Sequence, residues 1–249
     1  MDSDLKYIFV KPDSSLYDFV DSFWLLQNQS NMDKEVVILP DGRIDLIISE
    51  SKTEPFHITL LGLETQFHQA KIISKQRNFA ISFKPLAAEF LFSDKIANLR
   101  DKGLNLQEGF WDFHKNDLND FGVFQKKASQ KIQSLVTERI DDRKRQLFEL
   151  IYDYKGELTV QELSEKVYWD SRQINRYFNR RFGVSLKTYC NIIRFRFSFQ
   201  NIKEGKLFPE QKFADQSHFI KEIKKHSGVS PKELNKNIKD RFLQFSLLK

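Results

Sequence analysis

Apolar and polar positions follow two different periodicities along the chain. As far as about residue 115, the apolar positions form short runs of β-branched and aromatic residues separated by turn-forming residues, which is typical of strands. From about residue 116 they recur at intervals of three and four residues, which is typical of amphipathic helices. We therefore expect an α+β protein with a β-rich N-terminal part, a small barrel or a sandwich, and a helical C-terminal part.

Five apolar runs in the N-terminal part predict strands, and a short helix is expected after the last of them, over residues 85–92. The clearest turn lies between the first two runs. There Pro40 fixes its own φ, Asp41 bonds nearby backbone and Gly42 adopts a positive φ. The predicted strands cover residues 35–39, 43–49, 56–63, 70–74 and 78–83.

Two amphipathic stretches follow, and the pair Asp141-Asp142 separates them. The first carries apolar residues from position 121 to position 136, and the second from position 147 to position 151. Their apolar stripe has two candidate partners, the β-rich part of the same chain and a second copy of the chain.

The next segment predicts a helix-turn-helix unit. Thr159 and Glu162 form a capping box that opens a short helix. After a turn, Asp170 or Ser171 caps a second helix that runs to about residue 182, with Gly183 just past its end. Two short helices joined by a three-residue turn are typical of this motif.

The second helix of that unit has one apolar side and one polar side. At 100° per residue, Ile174, Tyr177 and Phe178 share the apolar side. Arginine grips guanine with two hydrogen bonds and glutamine does the same for adenine. An ordinary solvated surface is the alternative, but no acidic residue interrupts the polar side, which favours nucleic acid. The polar side consists of Arg172, Gln173, Arg176, Asn179 and Arg180.

The same pattern returns 45 residues later, which predicts a second recognition helix. Asp170 corresponds to Asp215, and Gly183 corresponds to Gly228. One long helix, from Leu186 to about residue 204, is expected to separate the two. Tandem recognition helices are suited to enter successive major grooves on one face of DNA. The repeated polar positions are Ser217, His218, Lys221, Lys224 and Lys225.

These motifs resemble the AraC/XylS family of bacterial transcription regulators over roughly residues 145–235. The match depends on Ser171-Arg172-Gln173-Ile174-Asn175-Arg176-Tyr177-Phe178, Phe182-Gly183-Val184-Ser185 with Tyr189 and Arg194, Phe213-Ala214-Asp215-Gln216-Ser217-His218-Phe219, and Ser227-Gly228-Val229-Ser230-Pro231. The resemblance implies two helix-turn-helix units and an N-terminal, often cupin-like, sensing or dimerising domain. Phe23-Trp24, Leu39-Pro40-Asp41-Gly42 and Phe83-Lys84-Pro85 resemble an uncharacterised N-terminal domain of some members.

From the helix faces and the resemblance together we predict the residues that bind DNA. The chain departs from the family between Lys206 and Asp215, where Pro209 and the short spacing leave little room for a supporting helix. The first helix-turn-helix unit is therefore expected to read bases, and the second helix-turn-helix unit is expected to bind phosphate. The predicted DNA-binding residues are Ser171, Arg172, Gln173, Asn175, Arg176, Arg180, Gln216, Ser217, His218, Lys221 and Lys225.

Charge agrees with this interpretation. The chain has a net charge of +6, but residues 1–154 carry −4 and residues 155–249 carry +10. A basic C-terminal part joined to a mildly acidic N-terminal part is typical of a nucleic-acid-binding module fused to another domain. The alternative is a β-rich enzyme or ligand-binding protein whose basic tail serves interaction alone.

Candidate chemistry is sparse. The single cysteine, Cys190, is expected to be a small buried residue, and it excludes a disulfide or an all-cysteine zinc site within the chain. His57, His68 and His114 lack metal-ligand spacing, and no nucleophile or phosphate-loop motif is present. We expect no enzyme activity, cofactor or metal. With no long apolar run and no signal peptide, a cytoplasmic protein without membrane contact is expected.

The expected organisation is a β-rich effector or dimerisation domain over residues 1–115, a helical linker over 116–144, a DNA-binding domain over 145–240 and a tail over 241–249. Residues from about 145 onward are expected to fold and bind DNA alone. The expected partner is double-stranded promoter DNA. Candidate partners are a small-molecule effector, a second copy of the chain and, for an activator, RNA polymerase.

Overall fold

The computed structural model describes residues 4–207, 213 and 215–246, and these form two compact units. The first unit contains the described residues up to 35 together with residues 43–63 and 71–139. The second contains residues 36–42, 64–70 and the described residues from 140 onward. The predicted division at residues 115, 144 and 240 stays a prediction.

A six-stranded antiparallel sheet organises the first unit. Its order is β1-β2-β7-β4-β5-β8, so β1 and β8 lie at its edges. Strands β3 and β6 form a separate two-stranded sheet. The strands are β1 (Leu5–Val10), β2 (Val20–Asn28), β3 (Lys34–Ile38), β4 (Ile44–Glu50), β5 (His57–Leu61), β6 (His68–Ile72), β7 (Arg77–Phe83) and β8 (Gly103–Leu106).

The predicted fold class is confirmed: a sheet-rich N-terminal part precedes a helical C-terminal part. The five predicted strands correspond to β3, β4, β5, β6 and β7. Sequence patterning did not find β1, β2 or β8. The burial of β2 explains its omission, because seven of its nine residues are buried and the strand therefore lacks a two-residue alternation.

Helices cover one face of the large sheet. They are α1 (Ala88–Leu91) and α2 (Phe121–Leu135), and the Asp120 carboxylate caps α2 by accepting a hydrogen bond from the Val123 amide. Phe79 of β7 meets Phe121 and Phe124 of α2, with ring centroids 5.2 and 5.7 Å apart. The apolar stripe of α2 therefore packs within the first unit, which is one of the two partners the sequence left open.

Seven helices account for most of the described part of the second unit. The helices are α3 (Asp142–Asp153), α4 (Val160–Lys166), α5 (Ser171–Phe182), α6 (Leu186–Lys203), α7 (Gln216–Ser227), α8 (Pro231–Lys236) and α9 (Leu243–Ser246). Thr159 and Glu162 form the predicted capping box at the start of α4. The Ser185 hydroxyl caps α6 by accepting a hydrogen bond from the Thr188 amide.

Helix α6 is the centre of the second unit. At its N-terminal end Tyr189 meets Phe148 of α3 and Phe178 of α5, with centroids 6.1 and 5.5 Å apart. At its C-terminal end Phe195 and Phe199 pack beneath α7 and α8. Cys190 lies within this buried helix as predicted, and burial raises the pKa of its thiol to about 12, so the thiolate is not formed near neutrality.

Residues 36–42 complete the core around the C-terminal half of α6. The Val37 amide donates to the Arg241 carbonyl at 2.7 Å, and the Leu39 amide donates to the Gln244 side-chain oxygen at 2.8 Å. Val37 and Leu39 are buried in one apolar cluster with Phe195, Phe199, Ile202, Phe219, Ile223, Leu234, Phe242 and Phe245. The last residues described therefore contribute two aromatic side chains to this core.

Candidate nucleic-acid interface

The first candidate recognition helix is α5, and polar groups fix both of its ends. The Asp170 carboxylate accepts hydrogen bonds from the amides of Arg172 and Gln173 at 2.9 and 3.2 Å. Gly183 ends the helix with a φ of 71°, a left-handed conformation that favours glycine. Because these signals are local, the sequence predicted both ends correctly.

The two sides of α5 separate as the face arithmetic predicts. Ile174, Phe178 and Phe182 are buried against α3 and α6. The opposite side is in solvent, and α5 contains no acidic residue. It therefore presents an unbroken surface of long hydrogen-bond donors. The exposed residues are Arg172, Gln173, Arg176, Asn179 and Arg180.

Helix α7 repeats α5 with an offset of 45 residues at both ends. The Asp215 carboxylate caps it by accepting from the His218 amide at 2.8 Å, and Gly228 ends it with a φ of 76°. Phe219 and Ile223 take the buried places of Ile174 and Phe178. The internal repeat predicted from the sequence is therefore a repeat of structure.

The exposed side of α7 carries three lysines where that of α5 carries three arginines. Its exposed residues are Gln216, Ser217, Lys221, Lys224 and Lys225. The one acid of this helix, Glu222, is 18% exposed and lies 3.8 Å from the Lys225 ammonium. His218 is half-buried, with its ring 5.7 Å from that of Phe213.

Two predicted site residues on α5 differ from the rest. Asn175 is half-buried, and its amide donates to the Ser171 carbonyl at 3.0 Å while its oxygen accepts from the Leu186 amide at 3.3 Å. The second of these bonds connects α5 to the start of α6. Ser171 is also half-buried. Asn175 thus has a structural role in addition to the DNA contact predicted for it.

Helices α4 and α5 form the first helix-turn-helix pair. Leu163 and Val167 of the α4 region are buried, and the Ser164 hydroxyl donates to the Trp169 carbonyl at 2.7 Å across the turn. The supporting helix of the second helix-turn-helix pair was predicted to be shortened. That prediction concerns residues 208–212 and 214, which lie outside the described residues.

A loop that sequence reasoning did not connect with the site holds the end of α7. Phe67 lies against Gly228, where a Cβ atom would come within 2.5 Å of its ring. His226, 1% exposed, donates from Nδ1 to the Thr65 carbonyl at 3.2 Å. Both loop residues come from the segment 64–70, and no local pattern in the sequence links that segment to α7.

The environment of His226 predicts a pH effect on stability. Burial lowers the pKa of its imidazole, the nearby Lys225 ammonium lowers it further, and Glu222 opposes both effects. The folded state therefore binds fewer protons than the unfolded state. The stability this site contributes should be present above pH 6.5 and lost as the pH falls below it.

Urea denaturation between pH 7.5 and 5 tests this expectation. A His226→Gln variant retains a side chain that donates to Thr65 but does not titrate, so it should flatten this part of the pH profile. His57→Gln is the control, because His57 is half-buried in β5 of the other unit. Equal profiles for the wild type and His226→Gln would contradict the expectation.

Two further histidines lie beside carboxylates. His68 is 3.3 Å from Glu64, and His114 is 3.3 Å from Asp112. Among residues 4–207, 213 and 215–246, no three His, Cys, Asp or Glu side chains come together as metal ligands. Within the same ranges, no helix combines the length and the apolar character needed to cross a membrane.

The chain thus combines a sheet-bearing N-terminal unit with a helical unit in which two helices of equal length each expose a polar or basic side. Residues 8–105 match the family model described as "Domain of unknown function (DUF6597)". The match begins in β1 and ends in β8, so it covers the six-stranded sheet. This confirms the predicted resemblance of the N-terminal part to an uncharacterised domain. No curated protein sequence matches the chain.

Solved structures of ToxT from Vibrio cholerae are similar to the chain over most of its length. A 1.65 Å structure is 17% identical, with 92% of this chain and 96% of that chain covered and a TM-score of 0.41. A structure bound to (E)-4-(8-methylnaphthalen-1-yl)but-3-enoic acid is 16% identical, with 92% and 96% covered and a TM-score of 0.43. A structure with unsaturated fatty acid bound is 15% identical, with 96% of both chains covered and a TM-score of 0.40.

Proposed function

We propose that the protein is a sequence-specific regulator of transcription that binds double-stranded DNA through α5 and α7. The observation that carries the proposal is the structural repeat. Two helices with identical length and matching caps each bury one apolar side and expose a polar or basic side. A solvated surface requires no such repetition, whereas tandem recognition helices do. The resemblance to the AraC/XylS family supports the same function.

The two helices have different expected roles. Helix α5 exposes Arg172, Gln173 and Arg176 in its first two turns, where recognition helices contact base edges. Helix α7 exposes three lysines, and lysine is a compact point charge suited to phosphate. Helix α6 has 18 residues and is therefore about 27 Å long, which suits contacts about one helical turn of DNA apart.

The first unit is proposed as the effector or dimerisation domain. Its support is the organisation of the chain: a separate sheet with its own apolar core accompanies the candidate DNA-binding unit. A small-molecule effector, a second copy of the chain and, for an activator, RNA polymerase remain the candidate partners. The alternative function, a ligand-binding protein or enzyme with a basic tail, requires no affinity for duplex DNA.

Salt dependence of binding tests the proposal. Each phosphate contacted by Lys or Arg releases counterions, so log K should fall against log salt with a slope of about −0.9 per contact. With several lysines and arginines on α5 and α7, we expect a steep slope for fragments upstream of genes in the source genome. Titration by fluorescence anisotropy from 50 to 300 mM salt measures it. Binding that is absent at every salt concentration would contradict the proposal and favour the alternative function.

A further inference from the structure

Tyr168, in the turn between α4 and α5, combines an unfavourable backbone conformation with almost complete exposure. Its φ is 50°, in the left-handed region, and 91% of the residue is exposed. A side chain with a Cβ atom is strained in this conformation. Because the Tyr168 ring is exposed, its burial within the chain does not offset this backbone strain.

The turn itself imposes the conformation. The Tyr168 amide donates to the Glu165 carbonyl at 3.4 Å, and the Trp169 amide donates to the Ser164 carbonyl at 3.1 Å. This is the hydrogen-bond pattern of a Schellman motif, whose left-handed position usually holds glycine. The Trp169 ring, 5.3 Å from that of Tyr177, further holds the turn in place.

Three other helix ends of the same unit have glycine at this point, whereas α3 and α8 are followed by Lys155 and Asn237 with a positive φ. Gly183 after α5, Gly205 after α6 and Gly228 after α7 all have a positive φ. The chain therefore has glycine available for this conformation and has tyrosine in its place before the first recognition helix. Backbone strain of this kind concentrates at functional sites.

We propose that Tyr168 binds the DNA backbone beside the groove that α5 enters, with its phenol O–H donating to a phosphate oxygen. This inference rests on the proposed function of α5. Only Trp169 and Asp170 separate Tyr168 from the helix, whose first turns expose Arg172 and Arg176. The N-terminal end of a recognition helix approaches the bases, so the turn before it approaches the sugar-phosphate backbone.

The groups around the turn leave the phenol of Tyr168 as the hydrogen-bond donor for this contact. The Asp170 carboxylate already occupies the amides of Arg172 and Gln173, so the amides it caps do not receive a phosphate. Arg143 lies over the Trp169 ring at 5.6 Å, and exposed Lys166 precedes Tyr168 by two residues. Arg143 is paired with Asp141 at 2.9 Å, so Lys166 is the cation that attracts the DNA backbone, and the phenol provides a hydrogen bond that fixes the position of that backbone.

Two substitutions separate strain from contact. Tyr168→Gly removes both the strain and the phenol, so folding should shift about fivefold toward the native state while affinity for DNA falls about tenfold. Tyr168→Phe keeps the ring and the strain but removes the donor, so affinity should also fall about tenfold with unchanged stability. Lys155→Gly is the matched control, because Lys155 has a φ of 52° at the end of α3. It should gain stability and keep its affinity within about twofold.

Urea denaturation and anisotropy titrations on specific and unrelated duplexes measure these effects in the full chain. Both Tyr168 variants should weaken all duplexes alike and leave the salt slope unchanged, because a neutral donor to phosphate reads no sequence and releases no counterion. Wild-type affinity in either variant would overturn the inference, even if activation of transcription were lost. A wild-type chain that binds no duplex would instead overturn the proposed function, and the wild-type titration alone decides that case.

Discussion

A fragment that starts at residue 140 is expected to lose the packing around the C-terminal half of α6 and around α7. It lacks Val37 and Leu39, which are 2% and 0% exposed in that core. Removing a buried leucine side chain alone costs about 2–5 kcal/mol. Losing both residues and their backbone hydrogen bonds should lower the free energy of unfolding by about 5 kcal/mol, which is comparable with the whole stability of many domains.

Urea denaturation and hydrogen exchange of the fragment and the full chain test this expectation. In the full chain, Leu39→Ala should reduce protection of α6 and α7 amides first. Leu60→Ala is the matched control, since Leu60 is equally buried but lies in β5 of the other unit, where it should reduce protection of the sheet first. A fragment 140–249 that unfolds as cooperatively and at the same urea concentration as the full chain would contradict the role given to residues 36–42.

This expected result differs from one prediction made from the sequence. The strong helical patterning from residue 145 onward predicted a module that folds and binds DNA alone. Four of the helices in that region, α6 to α9, contribute to a core that also needs residues 36–42, and α7 ends against residues 64–70. Helical periodicity indicates which side of a helix is buried, but it does not identify the chain segment that covers it.

Substitutions on α5 and α7 should change binding in different ways. Arg172→Ala or Arg176→Ala should cost about 1–3 kcal/mol and relax the preference at one position of the DNA site, because both side chains are exposed in the first two turns of α5. Lys221→Ala should weaken binding to all sequences alike and reduce the magnitude of the salt slope by about one, because a phosphate contact carries no sequence information.

A randomised operator library selected with each variant distinguishes these outcomes. Lys6→Ala is the control for loss of one positive charge, since Lys6 is exposed on β1 in the first unit. It should leave both the preference and the salt slope unchanged. If Lys221→Ala altered base preference while Arg176→Ala did not, the roles given to the two helices would be reversed.

Local signals in the sequence located the ends of the two candidate recognition helices. The carboxylates of Asp170 and Asp215 and the glycines Gly183 and Gly228 act on backbone groups within a few residues, so their positions alone define where α5 and α7 start and end. The same locality explains what was missed in the sheet. The buried strand β2 and the short exposed edge strand β8 have patterns that tertiary neighbours determine.

The sequence by itself therefore determined the order of sheet and helices, the repeat of α5 in α7 and the polar side of each, because periodicity and capping are short-range properties. Only the tertiary structure decided which segments complete each core. It placed residues 36–42 and 64–70 with the helices, buried Phe242 and Phe245 near the C-terminus, and engaged Asn175 between α5 and α6. These contacts join residues up to about 200 positions apart, and apolar packing between such distant segments leaves no local pattern in the chain.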